Sequence, residues 1–143
     1  MSYRKKGQQK MYWKTKKRNK ISNRTDFPIG TFVHSPKGYF YISEHNKRFR
    51  FLSKRVLNSW APHRVVEVTE DALMNYRIAA KMKFRNGSLI HNIADGKIYL
   101  ISQGKRRHIT NPDVLETIGA SVNDVVSVSL NEILLHEQGE PLN

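Results

Sequence analysis

The sequence predicts a β-rich α+β fold: two tandem repeats of short antiparallel strands with one or two short helices each, preceded by an extended basic arm. Three observations carry this expectation. The stretch Gly96 to Thr110, GKIYLISQGKRRHIT, reads as a β-hairpin, and a degenerate copy, GYFYISEHNKRFRFL, begins at Gly38. Apolar residues in both copies recur at the period of two that a half-buried strand requires. Ahead of them, residues 1–25 hold ten Lys/Arg and no acid, with no apolar periodicity from which to build a core. The expected division is a basic N-terminal arm over 1–26, a first repeat module over 27–85 and a second over 86–143.

Bulk composition narrows the function classes. A chain of 143 residues with 38% hydrophobic content suits one ordinary domain or two very small ones. The absence of cysteine excludes disulfides, thiolate zinc sites and cysteine nucleophiles, so the fold must stand on packing. No apolar run approaches the ~18 residues of a membrane span, and no apolar segment of the secretory type follows the basic N-terminus. The expected product is soluble, neither exported by a cleaved signal nor inserted in a bilayer. Its net charge of +13 is unevenly spread: residues 26–85 hold eleven cations and five acids, residues 86–143 four and seven. A basic head and a mildly acidic tail point to a polyanionic partner near the head.

In the arm, Arg4, Lys5, Lys6, Lys10, Lys14, Lys16, Lys17, Arg18, Lys20 and Arg24 surround Tyr3, Tyr12 and Trp13. Such a segment cannot offset its own ordering entropy in free solution. Two readings follow: a solvated tail, or an arm threading into a larger assembly. In the second, the cations lie on phosphates or acidic protein surface, and Tyr12 and Trp13 serve as stacking anchors.

Phe27-Pro28-Ile29-Gly30 forms a hinge. Strands are expected over Thr31–Ser35 and Tyr39–Ser43, then, after a polar turn at Glu44–Asn46, over Arg48–Leu52. The last alternates Arg and Phe, placing Phe49 and Phe51 on one face and Arg48 and Arg50 on the other. Ser53 is an N-cap for a helix over Lys54–Trp60 that must end before Pro62. Val65–Val68 reads as a strand and Thr69 opens a short helix over Glu70–Tyr76. Arg77–Arg85 is a connector with room for a strand.

The second copy repeats this order. Gly87-Ser-Leu-Ile-His91 matches Gly30-Thr-Phe-Val-His34. Beyond Gly38 and Gly96, Tyr41 aligns with Tyr99, Lys47-Arg48 with Lys105-Arg106, Phe51 with Ile109, Ser53 with Asn111, and Val56-Leu57 with Val114-Leu115. Val65-Val66-Glu67-Val68-Thr69 then aligns with Val125-Val126-Ser127-Val128-Ser129. Hydrophobic period, turn position and helix cap recur together, as a duplicated unit requires. Gln103-Gly104 is a better hairpin turn than His45-Asn46, Asn111-Pro112 supplies a cap followed by proline, and Ser129 to Glu132 forms a capping box.

These residues resemble a short tandem repeat found in bacterial surface or envelope-associated proteins and phage-encoded products. Its pattern is Gly-Ser/Thr-Leu-Ile, then Tyr-x-Ile, then Gly-Lys-Arg-x-Ile, a helix, and Val-x-Val-Ser. The resemblance covers about residues 29–142 and is closer in the second copy. It implies a binding or structural module rather than a defined reaction, and the basic arm lies outside it.

No catalytic, cofactor or metal site is expected. His34 and His91 occupy equivalent repeat positions, but no further ligand recurs at a matching spacing, so a structural role is simpler. Glu67, Glu70 and Asp71 sit at a strand end and helix start, where acids favour the helix dipole. The surplus of the first copy is aromatic. Phe51 and Tyr41 are expected in the core, whereas Tyr39 and Phe49, beside Arg48, Arg50, Lys54 and Arg55, form an expected partner-binding patch together with the arm.

The leading expectation is therefore a non-enzymatic structural protein of a large assembly, a phage virion component of capsid, neck or tail. Its arm docks on neighbouring subunits and it is oligomeric in context. Its expected location is the virion, assembled in the host cytoplasm, or else the cytoplasm itself. The alternatives are a sequence-nonspecific nucleic-acid-binding protein, using the arm on phosphates, and a glycan- or envelope-binding module.

Overall fold

A computed structural model describes residues 26–143, so the arm expected over 1–26 lies, Asp26 apart, outside the described residues. Two compact units are present. One comprises the described residues up to Arg50 together with Arg64–Ala80, the other Phe51–His63 together with Lys81–Asn143.

The first unit is built on a five-stranded sheet. Phe32–Ser35 (β1), Gly38–Ser43 (β2) and Lys47–Arg50 (β3) form an antiparallel meander. Val66–Glu67 (β4) adds to β1 in parallel, and Arg77–Lys81 (β5) flanks β3. In the second unit Leu89–Asn92 (β6), Ile98–Ser102 (β7) and Lys105–His108 (β8) repeat the meander. Val125–Val128 (β9) adds in parallel to β6, and Glu137–Gln138 (β10) in parallel to β8. Read from the parallel edge inward, the strand orders β4-β1-β2-β3-β5 and β9-β6-β7-β8-β10 are the same. The expected β-rich pair of repeated sheets is the fold.

The turns follow from local chemistry. Gln103 and Gly104, with φ of 52° and 76°, close a two-residue hairpin in the left-handed region that the strand twist favours. The first hairpin needs three residues, and there His45 and Asn46 take φ of 61° and 54° without a glycine. Helix α1, Lys54–Ser59, starts at Ser53, whose hydroxyl accepts from the Val56 N–H. Helix α2 spans Asp113–Thr117, and α3, Leu130–Ile133, opens on the Ser129–Glu132 capping box. The helix expected over Glu70–Tyr76 is a single 3-10 turn, Asp71–Leu73.

One expected register is corrected. Phe40 lies opposite Val33 and Tyr99 opposite Ile90, and Val33 and Ile90 are equivalent positions. The counterpart of Tyr99 is therefore Phe40, not Tyr41. The cause is the preceding turn: Ser35 pairs with Gly38, whereas the Asn92 N–H reaches across to Lys97 O. A one-residue slip exchanges the faces of a strand. Phe40, Ile42 and Val33 are thus fully buried with Leu73 and Tyr76, while Tyr41 is only half-buried on the other face. Phe51 is buried as expected.

The sheet of the second unit is apolar on both sides. Leu89 packs with Ile109, Val114 and Leu115, flanked by Ile98, Leu100, Val125 and Leu142, so α2 covers that face. The alternate residues Ile90, Tyr99, Ile101 and Val128 are buried on the other face.

Candidate functional site

The interior of each unit holds a polar tie. Arg48, 5% exposed, lies on the same sheet face as Phe40 and Ile42, its guanidinium 4.5 Å from the Phe40 ring. It donates through Nε to Tyr76 O (3.0 Å) and through both terminal nitrogens to Glu70 (2.8 and 3.0 Å). Ser35 also donates to Glu70. The hydrogen bonds from Arg48 hold the Glu70 carboxyl well below its ordinary range, at about 2, against the opposing effect of burial. Glu70 is thus a buried ion-pair partner and not the dipole-favouring acid expected. Arg106 makes the equivalent backbone contact in the second unit, donating to His136 O and to Ile133 O.

The second unit ties itself together through Glu132, which is 1% exposed. The carboxylate accepts from Ser129 N (2.8 Å), from Ser53 Oγ (2.6 Å) and from Arg55 Nε and Nη2 (2.9 and 2.7 Å). Burial pushes this carboxyl up, but hydrogen bonds from Arg55, Ser129 and Ser53 outweigh it and bring it to about 2. One side chain therefore caps α3 and fastens α1. His136 is a second tie. Its Nδ1–H donates to Gly104 O (2.8 Å) and its Nε2 accepts from the Phe84 N–H (3.0 Å). An imidazole that donates at one nitrogen and accepts at the other is neutral, and burial lowers its pKa below the ordinary value.

The expected partner residues distribute as follows. Arg4 to Arg24, with Tyr12 and Trp13, lie outside the described residues. Tyr39 and Phe49 are half-buried on the face of the first sheet opposite Phe40. Tyr39 stacks on His34 at 4.1 Å, and His34 donates from Nδ1 to Glu67 (2.8 Å). Tyr41 stands between Phe32, whose ring is 5.6 Å away edge-on, and Phe49, its partner in register. An aromatic row thus crosses β1, β2 and β3. Arg48 and Arg50 project from the reverse face, because alternate residues of β3 point to opposite sides, so the patch expected of Tyr39, Phe49, Arg48 and Arg50 is not one surface. Arg48 is spent internally, while Arg50 is exposed. Lys54, exposed, and Arg55, tied to Glu132, belong to the second unit.

His91 is hydrogen-bonded to Ser127 (3.2 Å), on the rung that His34 and Glu67 occupy in the first unit. Among the described residues no group of three His, Asp or Glu is placed to hold a metal, and no helix is long and apolar enough to cross a membrane. Sequence reasoning missed Glu132 and His136 as structural ties. The capping box revealed half the role of Glu132, but nothing local signals a partner 77 residues away.

Comparison with protein-family models, curated proteins and solved structures finds no match. The distribution of charge then becomes the main functional clue. The described part of the first unit holds six Lys/Arg against five Asp/Glu, and the second unit nine against seven. Almost all of the +13 resides in residues 1–25.

Proposed function

We propose that the protein is a non-enzymatic structural component of a large assembly, a phage virion part of capsid, neck or tail. In this reading the folded units form its body, and its basic N-terminal residues dock on neighbouring subunits. The observation that supports the reading is the separation of charge from fold. Two nearly neutral units spend Glu70, Glu132 and His136 on holding themselves together, while ten cations precede them. Replacing Lys14, Lys16, Lys17, Arg18 and Lys20 together by Gln in the full chain tests it. Incorporation into particles should drop at least tenfold while the thermal melt of the folded units stays in place. Undiminished incorporation would defeat the proposal.

A second reading, sequence-nonspecific nucleic-acid binding, is favoured by the Phe32–Tyr41–Phe49 row. Aromatic side chains on a sheet face are platforms for unpaired bases. If the N-terminal cations neutralise ~6 phosphates, affinity falls with salt at a logarithmic slope of about −5. A salt-insensitive interaction, or none with long DNA or RNA, removes this reading.

A further inference from the structure

Four strands end the two sheets, and three of them are guarded against pairing with another chain. β4 and β10 are two residues long and carry Glu67 and Glu137, and β5 has Arg77 and Lys81 at its ends. Short length and edge charge are the usual protections of a sheet edge. β9 has neither. It runs four residues, Val125-Val126-Ser127-Val128, without charge or proline, and Val126 is 44% exposed.

Its hydrogen-bonding side can be read from the register. β9 runs parallel to β6, and Val128 O accepts from the Ile93 N–H. In a parallel ladder alternate residues of a strand bond to the same neighbour. Val126 and Val128 therefore direct their N–H and C=O toward β6, and Val125 and Ser127 direct theirs away from the sheet. The flanks are apolar too: Val122 just before β9 is 69% exposed, and Leu130 just after it 55%.

We propose that β9 is the surface through which two copies of this chain pair, antiparallel about a twofold axis at Val126, joining two five-stranded sheets into one. In this register Val125 of each copy exchanges both backbone hydrogen bonds with Ser127 of the other. The two Val126 side chains meet at the central non-hydrogen-bonded pair, where side chains approach most closely. Val122 comes opposite Leu130, and Asp124 opposite Val128, so no acid faces an acid. The edge is self-complementary in hydrogen bonding, in apolar surface and in charge, as an isologous contact must be. The inference does not depend on the assembly proposed above, because the pairing belongs to the free protein.

Sedimentation equilibrium of the full chain at about 0.5 M salt, where contacts made by exposed charges are screened, tests it. Wild type should be a dimer at micromolar concentration. Val126→Lys, which sets two cations face to face, and Ser127→Pro, which removes an outward N–H without touching the bonds to β6, should each weaken dimerisation by about 100-fold. Their circular dichroism and melts should be unchanged. In wild type alone, hydrogen exchange at Val125 and Ser127 should slow as concentration rises. A wild-type monomer at ~100 μM, variants that dimerise as tightly as wild type, or a dimer whose Val125 and Ser127 amides exchange freely would each overturn the proposal.

Discussion

Replacing Glu132 by Gln removes the charge that fastens α1 within the second unit while keeping the size of the side chain. The carboxyl sits at about 2 in the fold instead of the ordinary 4.5, a difference worth roughly 3 kcal/mol at neutral pH. Arg55 is half exposed and regains water in the variant, and the amide oxygen still accepts from Ser129 N–H. The expected net loss is therefore about 2 kcal/mol. Because the pKa is depressed in the fold, the contribution is fully present above pH 4.5 and fades as pH falls toward 2. Glu70 titrates in the same window for the first unit, so the variant should lose about half of the wild-type acid sensitivity. Urea denaturation followed by circular dichroism, at pH 7 and then in steps to pH 2.5, measures both effects. Equal stability at pH 7 with an unchanged dependence on pH would refute the role given to Glu132.

Further outcomes follow from the same geometry. Arg48→Met leaves Glu70 without its buried partner and should cost about 3 kcal/mol, much of which the double variant Arg48→Met with Glu70→Leu should restore; chemical denaturation separates the two. Phe40→Ala should cost about 3–5 kcal/mol and Phe49→Ala about 1, because only Phe40 is on the core face. Comparable losses at the two positions would contradict the register. By NMR the His136 imidazole should stay neutral below the ordinary value of 6.5, with stability falling as pH drops beneath it.

What the sequence disclosed was local. The Gln103-Gly104 turn, the Ser53 cap and the Ser129–Glu132 box each depend on residues within a few positions, and each is present. Two features depended on distance and were not legible. The slip between Tyr41 and Tyr99 arises because the turns before β2 and β7 differ in length while both hold a glycine, so aligning Gly38 with Gly96 exchanged the two faces. The grouping of α1 with the second unit rests on Ser53 and Arg55 reaching Glu132, across 79 and 77 residues. No periodicity records a contact of that kind. The partner patch failed as one surface for a simpler reason: Arg48 and Arg50 alternate with Phe49 along β3, so cations and aromatics face opposite ways. The arm residues carry the charge, and the body around Glu70 and Glu132 carries the stability.

The central claim, that the basic N-terminal residues dock on neighbouring subunits, is tested most directly by photo-crosslinking from positions 12 and 13 in the assembled state, followed by mass spectrometry. The account predicts crosslinks to protein chains of the assembly. Crosslinks to nucleic acid alone would contradict it.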